Sequence, residues 1–198
     1  MTPKTILFFF SILLFTTNLQ SQTMQLPYSQ IPEYAESYSS GNIVARMVDG
    51  LGFRYYWATE GLTEKDLNFQ PTAESRTALE TLQHIYGMSE MILNAPDAQP
   101  NIRPKDFSKY SFGELRKMTL DNLQAASTKY RAMQTDSFDA SKVIFQRGEK
   151  QFDFPFWNLL NGMLSDCIYH AGQITLMRRM SGNPINPKVN VFLGKLNE

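Results

Sequence analysis

Apolar residues recur at intervals of three and four through four long stretches of this chain. Proline, glycine or a polar run closes each stretch. That spacing is the helical period, and a helix with one apolar stripe must bury it against another element. The first stretch, about Asn42 to Leu62, carries Val44, Met47, Val48, Leu51, Tyr55, Ala58 and Leu62 on one face. Gly50 and Gly52 weaken it locally. Thr63-Glu64-Lys65-Asp66 opens a polar connector that ends at Pro71. The second stretch, about Ser75 to Asn94, has Leu82, Ile85, Ile92 and their neighbours as its stripe, with Pro96 and Pro100 beyond its end. Thr77 and Glu80 have capping-box spacing there, as Ser111 and Glu114 do before the third stretch, about Phe112 to Met133. The fourth runs from about Pro155 to Met180, with Arg178 and Arg179 in its last turn and Gly182 and Pro184 past it. Between the third and fourth, residues 136–154 form a long connector. There Val143–Gln146 and Gln151–Phe154 flank Arg147-Gly148-Glu149-Lys150 as a small hairpin would. The expected fold is all-α: an antiparallel four-helix bundle over residues 42–198, with two short connectors and a long crossover before the last helix.

The first 21 residues read as an address. Lys4 supplies a positive start, Ile6–Phe15 is an apolar run, and Thr16–Ser21 is polar with a plausible cleavage site. The run is too short to span a hydrocarbon core, which needs about 20 residues, and no cysteine follows it for a lipid anchor. Residues 22–41 read as an extended leader. The expectation is an exported protein, periplasmic or secreted, soluble and with no stable membrane insertion once the signal is cleaved. Lys+Arg and Asp+Glu are both 19 in the full chain. A balance of that kind argues against a nucleic-acid partner, which a basic excess would favour. The single cysteine, Cys167, excludes an intrachain disulfide framework and a thiolate metal cluster.

Only two histidines are present, His84 and His170. On a helical wheel for the fourth stretch, Asp166 and His170 fall one turn apart within the apolar stripe. A carboxylate facing a core needs compensation from a metal, a proton or a hydrogen-bonding cation. The plainer alternative is an Asp–His pair at i,i+4 that satisfies itself. His84 sits about 140° from the middle of the second stretch's main stripe. It shares a face with Thr77, Thr81, Met88 and Met91. Periodicity alone does not bring it to His170. Should His84, Asp166 and His170 converge, two imidazoles and one carboxylate would suit Zn, Ni or Fe and leave open coordination positions. Coordination by both histidines requires them within about 6 Å of each other. Glu80 is a spare carboxylate one turn before His84, better accounted for as a cap than as a fourth ligand or base. Cys167 reads as a small buried apolar residue. Tyr86, Trp157 and Tyr169 read as packing rather than pocket, and Arg178 and Arg179 as cations at a helix C-terminus.

Leu82-Gln83-His84-Ile85, His170-Ala171-Gly172-Gln173-Ile174 and Arg178-Arg179-x-x-Gly182 resemble the DinB-like superfamily. Phe154–Gly162 and Gly182-Asn183-Pro184-x-Asn186-x-Lys188-Val189 look like its exported subgroup from Bacteroidetes-type bacteria. The resemblance runs from about Asn42 to the C-terminus. It implies a four-helix bundle in up-down-down-up order and a divalent metal, often Zn or Ni, on three histidines. The matching positions here are His84, Asp166 and His170, so Asp stands where the family has its middle histidine. Some members are thiol-dependent transferases or isomerases, a chemistry an exported protein is poorly placed to use.

Two functions are therefore expected to compete. One is an exported metal-dependent hydrolase or transferase, with a metal-activated water as its reactive group and a small-molecule substrate. The other is a non-catalytic small-ligand binding module with a degenerate metal site. A homodimer through an exposed helix face is compatible with either.

Overall fold

The computed structural model describes residues 25–198 of the 198-residue chain. The expected signal segment, residues 1–21, lies outside the described residues, as does the start of the expected leader. The molecule is mostly helical. Its helices are α1 (Ser40–Thr59), α2 (Glu64–Leu67), α3 (Ala78–Asn94), α4 (Phe112–Ala132), α5 (Phe156–Asn158) and α6 (Ser165–Met180). A π-helical segment, Leu159–Leu164, joins α5 to α6. None of the described helices is long and apolar enough to cross a membrane.

The four expected helices are present, and the second and third start at the expected capping boxes. Thr77 Oγ1 accepts from Glu80 N at 3.1 Å while the Glu80 carboxylate accepts from Thr77 N at 2.8 Å. Ser111 and Glu114 repeat that reciprocal pair ahead of α4. Thr63 and Asp66 make a third, so the polar stretch expected to be a plain connector folds into α2.

Helix α1 packs on α4 and α6, and α3 packs on the same two. Leu51, Tyr55, Leu82, Ile85, Ile92, Leu120, Leu123 and Ile174 are fully buried between them. Each such aliphatic side chain contributes roughly 1.5–3 kcal/mol through burial. Hydrogen bonds fix which ends meet. Arg116, early in α4, reaches Thr59 at the end of α1. Tyr130, late in α4, donates to the Ile92 carbonyl late in α3 at 2.9 Å. Arg178, late in α6, donates to the carbonyls of Trp57, Ala58 and Glu60 at 2.9–3.1 Å. Those carbonyls belong to the end of α1, where helical partners run out. Arg178 therefore caps another helix, and its Nε also donates to the Asn183 carbonyl past the end of α6, which accounts for its burial.

Three departures from the sequence expectation have physical reasons. First, the fold is not purely helical. The expected hairpin exists as β2 (Lys142–Arg147) and β3 (Lys150–Pro155). β1 (Pro100–Ile102) adds to β2 in parallel, and β4 (Val189–Asn190) pairs with β5 (Lys195–Leu196). β1 belongs to the link between α3 and α4, which at residues 95–111 is not short. The link between α1 and α3, residues 60–77, is not short either. Second, the leader is extended but not detached. Tyr28 is buried, its ring lies over Gly52, and its hydroxyl donates to Asp49 at 3.0 Å. A Cβ on Gly52 would come within 2.5 Å of that ring, so this glycine is a close-approach site rather than only a weak point in α1. Third, the fourth helix is not one regular α-helix. The π-helical segment changes the angular phase between Phe156 and Cys167. Leu164 is buried while Leu160 and Met163 are only half-buried.

Candidate metal centre

Helices α3 and α6 pack side by side and place His84 opposite Asp166 and His170. His84 Nε2 lies 3.5 Å from Asp166 Oδ2, and His170 Nε2 lies 3.4 Å from Asp166 Oδ1. The imidazole centroids are 4.9 Å apart with their planes at 83°. One ligand atom from each residue falls within 4.8 Å of the other two, and a metal with bonds of about 2.0–2.1 Å would draw them closer. Periodicity alone left His84 unplaced. α3 is covered on two sides, so its Thr81–Met88–Met91 face is buried as well as its Leu/Ile stripe.

Burial is graded across the three. The His170 side chain is 9% exposed, His84 37% and Asp166 44%. Asp166 therefore stands at the rim of the site, not within the apolar stripe where a regular α-helical wheel puts it.

His170 is oriented from behind. Its Nδ1 lies 2.6 Å from Gln173 Oε1. An amide oxygen only accepts, so Nδ1 is the donor of this pair, and in the neutral ring Nε2 then presents its lone pair to the site. Burial holds His84 below the ordinary histidine range, helped by the positive charge of Arg76 and by His170, while Asp166 opposes the shift. A neutral imidazole is the form that can ligate.

The remaining candidates fall elsewhere. Glu80 is held by Thr77 and pulled below the usual carboxylate range by those two hydrogen bonds. It acts as a cap. Burial pushes the Cys167 thiol far above its ordinary range, which removes it as a nucleophile. The Tyr86 hydroxyl donates to Glu90. Tyr169 is exposed, with its ring centroid 5.5 Å from that of His170. Trp157 is exposed at the far end of the fourth helical stretch. Gln173, which orients His170, carries no chemical signal of that role in the sequence. Its i+3 spacing from a histidine is the available signal.

Among solved structures, a crystal structure of a DinB-like protein, YjoA from Bacillus subtilis, superposes with a TM-score of 0.51. The chain has a DinB-like fold. The two sequences are 13% identical over 72% of this chain and 96% of that one, so the likeness is one of fold alone. No family model matches the chain, and no curated protein does.

Proposed function

We propose that His84, Asp166 and His170 hold one divalent cation, and that the protein is an exported metal-dependent hydrolase or transferase acting on a small molecule. The observation that carries the reading is the convergence of the three residues, with one ligand atom from each within 4.8 Å of the other two. Both His–Asp separations, 3.4 and 3.5 Å, exceed the ~2.7–3.2 Å of a good hydrogen bond. Each is close to the ~3.3–3.4 Å edge of a tetrahedron with metal–ligand bonds of about 2.0–2.1 Å, the two histidines facing different oxygens of Asp166. The donor set, two imidazoles and one carboxylate, suits Zn, Ni or Fe.

In such a centre His170 would be the anchor, buried and fixed by Gln173. His84 would close the site from α3. Asp166 would supply the charge that offsets part of the ion's own and would face solvent at the rim. When bound, the ion supplies Lewis-acid polarisation of an oxygen at its open positions. Export is carried by the signal-like residues 1–21. The up-down-down-up helix order is supported by the contacts of Arg116, Tyr130 and Arg178. These contacts favour α4 running against α1 and along α3, and α6 running along α1.

The test is metal content by mass spectrometry on mature protein purified without a metal-binding tag. About one Zn, Ni or Fe per chain is expected, and none in His170→Ala. A wild-type protein that holds no metal and takes up none when supplied would overturn the reading and leave the small-ligand binding module in its place.

A further inference from the structure

On the face of α6 away from the histidine, a cavity of about 570 Å³ opens between α1, α6 and the C-terminal segment. Gly172, Thr175 and Arg179 line it, and each lies about 140–200° around the helix from His170. The cavity shares no residue with the candidate metal centre. Its size falls within the ~300–1,000 Å³ of small-molecule pockets.

The lining has a one-sided charge. Two arginines, Arg54 and Arg179, face the cavity and no acidic residue does, although the chain carries as many acids as bases. Among the described residues neither arginine makes an ion pair. Arg54 spends one donor on the Gly50 carbonyl at 3.0 Å. Each guanidinium carries five donors, so most are available to a ligand. The rest of the wall is largely apolar, from Trp57, Ile168, Ile185 and Val189. It is also built in advance. Trp57 Nε1 donates to the Ser29 carbonyl at 3.0 Å, which fixes the indole, and Arg178 ties the end of α1 to α6 beneath it. The wall is open at Gly172, an exposed residue where a Cβ would meet nothing within 4 Å.

We propose that this cavity is a second ligand site, taking a small organic anion whose acidic head meets Arg54 and Arg179 and whose apolar body lies against Trp57 and its aliphatic neighbours. Paired cations beside a fixed aromatic surface recognise a head and a body together. An inorganic anion would use only the first and a neutral hydrophobe only the second.

A matched set of probes tests this by calorimetric titration of the mature protein: 4-phenylbutyrate, its amide, and acetate. The acid is expected to bind at least about tenfold more tightly than either of the others. Arg179→Gln should lower the acid to the level of the amide. Gly172→Leu, which sets a bulky side chain on the cavity wall and suits a helix, should abolish binding of both. His170→Ala should leave acid binding intact, which separates this site from the metal centre. Equal binding of acid and amide would overturn the proposal, as would binding that survives Gly172→Leu or no binding of the acid at all. Loss of acid binding in His170→Ala would also overturn it, by placing the anion on the metal centre.

Discussion

Gln173 Oε1 stands 2.6 Å from Nδ1 of His170, one turn further along α6, and so decides which nitrogen of that imidazole faces His84 and Asp166. An outer partner of this kind fixes both the tautomer and the ring plane of a ligand. Gln173→Leu is close in volume, removes the acceptor and leaves all three candidate ligands in place. Metal affinity should fall by about 10–100-fold, read by competition with a chromogenic chelator. Unchanged affinity would show that packing alone orients the ring.

The graded exposure of the three ligands predicts unequal costs of removing them. His84→Ala should behave like His170→Ala and abolish stoichiometric metal, because each histidine is the only imidazole its helix supplies. Asp166 stands at the rim with a side chain 44% exposed, so a solvent oxygen can take its place. Asp166→Ala should therefore retain weakened uptake, measured as metal per chain across a range of added Zn. Complete loss in Asp166→Ala and retention in His84→Ala would reverse the assigned order.

Much of this site was legible in the sequence. The i,i+4 spacing of Asp166 and His170 and the capping boxes at Thr77 and Ser111 depend on neighbours a few residues away, and the structure repeats them. What was not legible depends on distant partners. β1 is three residues long and exists because Asn101 pairs beside β2, with its side chain donating to the Ile144 carbonyl. Such a strand has no pattern of its own. The phase change at Leu159–Leu164 is a backbone event with no residue signature here, and it altered which side chains of the fourth helix are buried. Tyr28 looked like part of a polar leader, yet it fills the space that Gly52 leaves open. The place of His84 needed α3 to be covered on two faces, a property of the assembled bundle.

Asp66 predicts an acid limit to stability. It is buried, and burial by itself would raise its pKa. Hydrogen bonds from Ser181, Asn183 and Thr63 outweigh that and hold the carboxyl well below its usual range. A folded-state pKa below the unfolded value, ~3.9, means that the stabilisation is complete above the unfolded value. It is lost as pH falls below that value toward the folded one. Urea midpoints should therefore fall between about pH 4 and pH 2. Asp66→Asn should cost about 1–3 kcal/mol at pH 7 by leaving its donors imperfectly paired. It should also flatten the acid slope. An acid slope as steep in Asp66→Asn as in the wild type would assign it to other carboxylates.

Two glycines in α1 predict different costs for the same methyl group. At Gly41 an added Cβ would lie 2.3 Å from the Tyr130 carbonyl oxygen, a backbone atom of α4 that cannot turn aside. At Gly52 it would lie 2.5–2.6 Å from the ring of Tyr28, a side chain on a strap that can shift. Helix propensity favours alanine by about 1 kcal/mol at the interior Gly52, so a net loss there understates the clash by that amount. Gly52→Ala should destabilise by about 1–3 kcal/mol in urea unfolding, and Gly41→Ala by more, because two helix backbones must separate. In a Tyr28→Ala background the cost of Gly52→Ala should vanish or change sign, since the ring it meets is gone. A double-mutant cycle at these two positions decides the matter. A cost at Gly52 that persists without the Tyr28 ring would show that the strap is not what requires glycine there.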